Sequence, residues 1–155
     1  MAIERIILGL DGTEGSKHAA EWAAQAAHDV GAGVIALHVV SRTWLIELAA
    51  LQIETDNLAR EQRAKLVGPW TEPLRRAGVR YTTELVSGDP ATELLRVAQV
   101  RRADLVVIGG THHHGIREAL LGGTAHRILD RSGIPVTVVP LPVPARPARH
   151  VPIPG

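Results

Sequence analysis

Five short, mostly apolar runs, separated by helix-type segments, constrain the fold of this 155-residue chain more than any other feature of the sequence. A strand with one face in water alternates apolar and polar residues, whereas these runs are largely continuous. Continuous apolar strands between helices are typical of a parallel sheet that is covered by helices on both faces. We therefore predict an open, doubly wound α/β sheet whose strands occupy residues 3–10, 34–40, 79–86, 105–108 and 136–139.

The intervals between the runs favour helices, and the end of the chain does not. Residues 16–30 are rich in alanine at helical spacing, and residues 44–67 contain so few breakers that one helix is predicted there. Further helices are predicted after Pro90 and over residues 124–131. Residues 140–155 hold six of the ten prolines. We predict one domain over residues 1–140 and a Pro-rich tail over residues 141–155, for which a solvated extended segment is favoured over a partner-binding arm.

Composition excludes several classes of function. The chain has no cysteine, so neither a disulfide framework nor a thiolate metal site is available. The formal net charge is +1, which does not indicate binding to nucleic acid or to a membrane surface. No apolar run approaches the ~20 residues that span a bilayer. The first residues lack the pattern of a secretory signal, so a cytoplasmic protein is expected.

The stretch V-V-I-G-G-T-H-H-H-G-I-R-E-A-L-L-G-G-T-A over residues 106–125 raises three interpretations. The stretch is a phosphate-binding loop (a phosphate cradle), a metal-binding site, or only a loop that connects a strand to a helix. Ligands of open parallel sheets bind beyond the carboxyl ends of the strands, where this stretch begins. Three adjacent histidines rarely converge on one ion, so no metal site is predicted. The order Gly15-Ser16-Lys17 excludes a P-loop, and the spacing of Gly9, Gly12 and Gly15 is not the dinucleotide pattern.

Several motifs together resemble the universal stress protein family across about residues 2–140. They are I-I-L-G-L-D-G-T at the start, V-I-A-L-H-V-V, V-S-G-D-P-A, A-D-L-V-V-I-G-G, I-R-E-A-L-L-G-G-T-A and I-P-V-T-V-V-P, in that order. The resemblance implies a Rossmann-like sheet with strand order 3-2-1-4-5. Many members of the family bind ATP through G-x2-G-x9-G-(S/T). When Gly109 is taken as the first glycine, His112 stands at the second and Gly123 replaces the hydroxyl residue. When Gly110 is the first, His113 stands at the second and Thr124 supplies the hydroxyl; the flanking I-R-E-A-L-L-G favours the first register.

The resemblance implies an adenine-nucleotide site, with ATP, alone or with Mg²⁺, as the ligand. Asp11 would hold the ribose or adenine side, and Gly9, Leu10 and Val39 would line the adenosine pocket. Ile108 and Gly109 would close over it. The phosphates would lie against His112, Gly122, Gly123, Thr124 and Ala125. From the residues alone, Asp11 is equally well explained as an N-cap or turn aspartate, and a plain core position is favoured for Val39 and Ile108.

Three functional hypotheses follow from the sequence. The favoured one is a nucleotide-binding regulatory protein of the stress response with no catalytic residues, because no nucleophile–base or carboxylate pair lies at catalytic spacing. The second is an interaction module that binds no nucleotide and acts through its dimer surface, the segment 44–70 or the tail. The third is a weak phosphohydrolase that uses the histidine loop. The strand Val136–Val139 is expected at a sheet edge, where pairing with its own copy would form a homodimer.

Overall fold

The computed structural model describes residues 1–111 and 121–142, and within them a single five-stranded sheet. The strands are β1 (Arg5–Gly9), β2 (Gly33–Ser41), β3 (Tyr81–Gly88), β4 (Leu105–Gly109) and β5 (Val136–Val139). Every pairing is parallel, and the order is β3-β2-β1-β4-β5. The predicted fold class and strand order are confirmed. The strands differ from their predicted bounds by one or two residues, and β5 matches its predicted bounds.

Helices cover both faces of the sheet. They are α1 (Glu14–Val30), α2 (Arg42–Ala50), α3 (Thr55–Val67), α4 (Glu72–Arg76), α5 (Pro90–Val100) and α6 (Gly123–Arg131), with a 3-10 turn at Pro69–Thr71. Ile6 and Leu8 pack on the face beneath α1, whereas Ile7 packs beneath α5 and α6. This alternation along β1, with all three side chains fully buried, is what a strand covered on both sides requires.

One helix prediction is wrong. Residues 44–67 form two helices, α2 and α3, rather than one. The break begins at Gln52, whose φ of 58° lies in the left-handed region. The Ile53 N–H then donates to the Leu48 carbonyl at 3.0 Å. This hydrogen bond is typical of a helix end that is followed by a residue in the left-handed conformation. The sequence contains no glycine at this point, so the usual stop signal is missing.

Strand order places the reversal between β1 and β4. The sheet grows from β1 to β2 and β3 on one side and from β4 to β5 on the other. Leu8 pairs in register with Val107, and Gly9 pairs with Leu37, so the carboxyl ends of the three central strands lie side by side. A crevice at this position is the expected ligand site of a doubly wound sheet.

Within residues 1–111 and 121–142, none of the helices combines the length and the apolar composition that a membrane span requires.

Candidate functional site

A cavity of about 410 Å³ opens at the reversal between β1 and β4, and we call it the switch-point cavity. Ten of the eleven predicted site residues line it: Gly9, Leu10, Asp11, Val39, Ile108, Gly109, Gly122, Gly123, Thr124 and Ala125. The eleventh, His112, lies outside the described residues, as do His113 and His114. The structure thus brings together residues that are separated by more than a hundred positions in the sequence.

The floor of the cavity is apolar. Leu37, Val39, Leu94, Ile108 and Ile128 line it. Gly9 keeps this floor open, because a Cβ at that position would lie 2.8 Å from Leu94 Cδ1 and 3.2 Å from Ile108 Cγ2.

The rim of the cavity is polar but carries little charge. Thr13, Ser16, Thr111 and Thr124 supply hydroxyl groups. Among the described residues of the lining, Asp11 is the one ionisable side chain. The Ser16 hydroxyl donates to the Thr13 carbonyl at 3.0 Å. The described lining therefore offers hydroxyl groups and one carboxylate as hydrogen-bonding groups for a ligand.

Asp11 organises the turn that joins β1 to α1. Its Oδ1 accepts from the Thr13 N–H at 3.0 Å and from the Thr13 hydroxyl at 2.5 Å. Thr13 in turn caps α1 by accepting from the Ser16 N–H at 3.2 Å. The turn-aspartate interpretation of Asp11 is thus what the structure shows. It leaves the exposed carboxylate at the cavity, where it can also accept from a ligand hydroxyl or amine.

His38 and Trp70 both contact the turn that joins β1 to α1. The His38 Nδ1 lies 2.7 Å from the Leu10 carbonyl oxygen, and the ring of His38 meets Trp70 edge to face at 5.1 Å. Gly12, with φ of 80°, lies so close to Trp70 that a Cβ there would be 2.6 Å from Cζ2. Burial lowers the pKa of His38, although the Leu10 carbonyl and the Asp11 charge oppose the shift. His38 is therefore a satisfied core histidine, as predicted.

The glycines at the end of β4 allow close packing and do not adopt unusual backbone angles. A Cβ on Gly109 would lie 2.2 Å from the Gly15 carbonyl carbon, and a Cβ on Gly15 would lie 2.1 Å from the Gly110 oxygen. Gly109 and Gly110 are not among the glycines with positive φ. The first turn of α1 thus lies directly on the end of β4, and this contact forms one wall of the cavity.

The start of α6 forms the opposite wall. Gly122 is its N-cap and has no side chain to accept a hydrogen bond, and the first intrahelical donor is the His126 N–H, which binds the Gly122 carbonyl at 3.0 Å. The N–H groups of Gly123, Thr124 and Ala125 precede it and have no intrahelical acceptor. A Cβ on Gly123 would meet nothing within 4 Å. The helix end therefore presents donors and a positive dipole to the cavity.

The sequence analysis missed several residues of the lining. Thr13 and Ser16 lie within D-G-T-E-G-S, where a threonine before a helix could have been recognised as the N-cap of α1. The remainder come from other elements and carried no local signal: Leu37, Pro90, Leu94, Thr111 and Ile128. Elsewhere in the described part of the chain, no three His, Asp or Glu side chains are grouped so as to hold a metal ion.

The fold and the cavity define an open doubly wound α/β protein with a ligand-sized crevice at its switch point. A family model for the universal stress protein family matches residues 2–140. A universal stress protein of Methanocaldococcus jannaschii is 31% identical over 148 residues, which are 90% of this chain and 83% of that protein. The chain belongs to the universal stress protein family, a family of stress-response proteins that are generally not enzymes.

Solved structures agree on the fold. A universal stress protein in complex with cAMP has a TM-score of 0.66 at 23% identity, covering 90% of this chain and 98% of the other. The universal stress protein of Archaeoglobus fulgidus in complex with dAMP has a TM-score of 0.65 at 17% identity, covering 90% and 99%.

Proposed function

We propose that this protein binds an adenine nucleotide, ATP by preference, in the switch-point cavity, and that it acts as a regulatory protein of the stress response without catalytic activity. One observation carries the proposal. A single cavity joins an apolar floor, the Asp11 carboxylate and the N–H groups at the start of α6 that have no intrahelical acceptor. These three features match the base, the ribose and the phosphates of a nucleotide, in that order.

The phosphate end depends on main-chain donors. No Lys or Arg of the described residues lines the cavity, so the N–H groups of residues 123–125 and the dipole of α6 are the groups that can meet an anion there. The Thr124 hydroxyl adds a further donor. Mg²⁺ bound to ATP would reduce the negative charge that this end of the cavity has to accommodate. In the sequence motif, His112 replaces the family's second glycine, and we expect this replacement to weaken binding.

Size and the properties of relatives support the same ligand class. The volume of about 410 Å³ falls within the range of small-molecule sites. The two solved structures described above contain cAMP and dAMP, which are both adenine nucleotides.

Calorimetry on variants of the glycines tests the proposal. We expect wild type to bind ATP with a dissociation constant near 1 µM, or roughly −8 kcal/mol. Gly123→Val should weaken binding at least about tenfold without loss of stability, because its side chain would extend from a position with no neighbour within 4 Å. Gly133→Val is the matched control, since a Cβ there also meets nothing and Gly133 does not line the cavity.

Further variants separate the two ends of the site. Asp11→Ala should weaken binding of adenosine and ATP alike, whereas Gly123→Val should affect ATP more than adenosine. His112→Gly should tighten ATP binding if the histidine ring is only tolerated. If millimolar ATP, ADP, AMP and cAMP give neither heat nor a thermal shift with wild type, the proposal is wrong. Mass spectrometry of small molecules released from freshly purified protein provides an independent check.

A second candidate function, an interaction module that binds no nucleotide, is favoured by the surface of α2. This helix has no fully buried residue although most of its side chains are apolar. Ile46 is 64% exposed, and Leu51, just after the helix, is 71% exposed. Exposed apolar side chains so close together mark a contact surface. Failure of nucleotide binding would make this surface the principal candidate for the protein's function.

We also propose that the protein is a homodimer formed through β5. Within the described residues, β5 pairs with β4 on one side and with no strand on the other. The segment is uncharged and rich in β-branched residues, which favours pairing with a second chain.

A further inference from the structure

A second opening lies at the amino ends of β1, β2 and β3, at the edge of the sheet opposite the switch-point cavity. It has a volume of about 610 Å³, and we call it the amino-edge cleft. Four arginines line it, namely Arg5, Arg80, Arg101 and Arg102, and no Asp or Glu is among the described residues of its lining. The formal charge of the whole chain is only +1, so this concentration of positive charge is local.

The topology brings the four arginines together from three elements. Arg5 is the first residue of β1 and lies two residues before Ile7, so both belong to the face beneath α5. Arg80 precedes β3, and its carbonyl accepts from the Val34 N–H at 2.9 Å, which places it beside the start of β2. Arg101 and Arg102 directly follow α5, which runs back towards the amino ends of the strands.

Nearby carboxylates neutralise only part of this charge. Glu84 forms an ion pair with Arg101. Asp104 accepts from the main-chain N–H groups of Glu4 and Arg5 at 2.8 and 2.9 Å, and these bonds, with the Arg5 charge, lower its pKa. The side chains of Arg80 and Arg102 make no hydrogen bond or ion pair with any residue that the structure describes. At least two guanidinium groups are thus available to an external anion.

The backbone of Arg102 is a separate observation about the same site. Its φ is 52°, which lies in the left-handed region that residues other than glycine rarely adopt. Arg102 lies shortly after the end of α5, and the N–H of the next residue, Ala103, donates to the Ala98 carbonyl at 2.9 Å. Helices α1 and α4 end with a hydrogen bond of the same type, and there the left-handed residue is a glycine, Gly31 after α1 and Gly78 after α4. An arginine at this position is the less stable choice for the helix end, although α2 tolerates Gln52 in the same way.

We infer that the amino-edge cleft binds a compact anion that carries two or more phosphate groups. Guanidinium groups match phosphate because their planar N–H pairs bind two oxygens at once. Several such groups around one cleft suit several phosphates on one small molecule. A nucleic acid would need a longer basic surface than a chain of net charge +1 offers. The site is separate from the nucleotide site and does not depend on it.

Calorimetry with inorganic tripolyphosphate tests the inference on the full chain. The titration uses Mg²⁺-free buffer, with sulfate at equal ionic strength as the reference anion. We expect wild type to bind tripolyphosphate more tightly than sulfate. The double variant Arg80→Gln/Arg102→Gly should lose at least about tenfold in affinity, because two charged hydrogen-bond donors are removed. Arg131→Gln, which removes an exposed arginine at the end of α6, is the matched control and should bind as wild type does.

Two readouts make the result decisive. Arg102→Gly alone should raise the melting temperature without ligand, because glycine adopts the left-handed conformation freely, and should reduce the shift caused by tripolyphosphate. Gly123→Val should leave tripolyphosphate binding intact while it weakens ATP binding. The inference is overturned if wild type does not distinguish tripolyphosphate from sulfate, if Arg131→Gln loses as much affinity as the double variant, or if Gly123→Val abolishes the binding.

Discussion

His38 links the buried core to the turn that carries Asp11. It is 8% exposed, and its Nδ1–H donates to the Leu10 carbonyl, the residue before Asp11. Burial lowers its pKa below the usual value near 6.5. As the pH falls through that value, the unfolded chain takes up a proton at residue 38 that the native protein does not. The free energy of unfolding should therefore decrease below about pH 6.5.

The change His38→Gln should remove this part of the pH dependence, because an amide does not titrate. We expect urea unfolding at pH 7.5 and at pH 5.5 to differ less in the variant than in wild type. His126→Gln, at an exposed position of α6, is the matched control. Equal pH dependence in His38→Gln and wild type would contradict the assignment of His38 as a buried neutral histidine.

The contact between Gly15 and Gly110 is the closest backbone packing around the cavity. A Cβ on Gly15 would overlap the Gly110 oxygen at 2.1 Å, so α1 would have to move away from β4. We expect Gly15→Ala to destabilise the protein by about 3 kcal/mol, although alanine is the better helix former. Gly123→Ala, also in the first turn of a helix, meets nothing and should change stability by less than about 0.5 kcal/mol. Thermal unfolding of the pair measures the difference, and similar melting temperatures would refute the packing argument.

At the scale of elements, Asp89 joins α5 to α6. Its carboxylate caps α5 by accepting from the Thr92 N–H at 3.0 Å, and it forms an ion pair with Arg127 of α6. These partners, Arg127 first, hold the pKa of Asp89 far below 3.8. The stabilisation is therefore present above that pH and is lost as the pH falls through the lowered pKa.

Asp89→Ala should cost about 1 kcal/mol at neutral pH, mostly through loss of the cap. The ion pair itself contributes little because both side chains are about 40% exposed. Asp89→Asn separates the two contributions, since asparagine retains a capping oxygen and loses the charge. Urea unfolding should give Asp89→Asn a free energy of unfolding near that of wild type and Asp89→Ala a lower one. If Asn and Ala are equally destabilised, the charge rather than the cap is the source of the stability.

The elements themselves were predictable to different degrees. Strands could be predicted because buried parallel strands are continuous apolar runs, and β5 was bounded by Gly133-Ile134-Pro135 on one side and Pro140 on the other. The break between α2 and α3 could not, because a glutamine adopts a conformation that glycine usually signals. The family resemblance supplied ten residues of the switch-point lining. Leu94 and Ile128 were missed because helix packing, rather than a local motif, brings them there.

At the scale of the whole molecule, the direction of the hydrogen bonds in β5 decides which residues can join two copies. The Val106 N–H donates to the Pro135 carbonyl at 2.9 Å, and the Gly110 N–H donates to the Val139 carbonyl at 2.8 Å. Successive residues of a strand direct their main-chain groups to opposite sides. The N–H groups of Val136 and Val138 are therefore directed away from β4, towards the edge through which we propose that the dimer forms.

The change Val138→Pro should convert the proposed dimer into a monomer without loss of the fold. Proline removes an outward N–H and leaves the bonds between β4 and β5 intact, whereas Thr137→Pro would remove an inward N–H and should destabilise the sheet. Light scattering at micromolar concentration should give twice the chain mass of 16.6 kDa for wild type and once that mass for Val138→Pro. Circular dichroism should show a folded protein for Val138→Pro and a lower melting temperature for Thr137→Pro. A wild-type monomer, or a Val138→Pro variant that remains dimeric, would exclude pairing through β5 and shift attention to the apolar surface of α2.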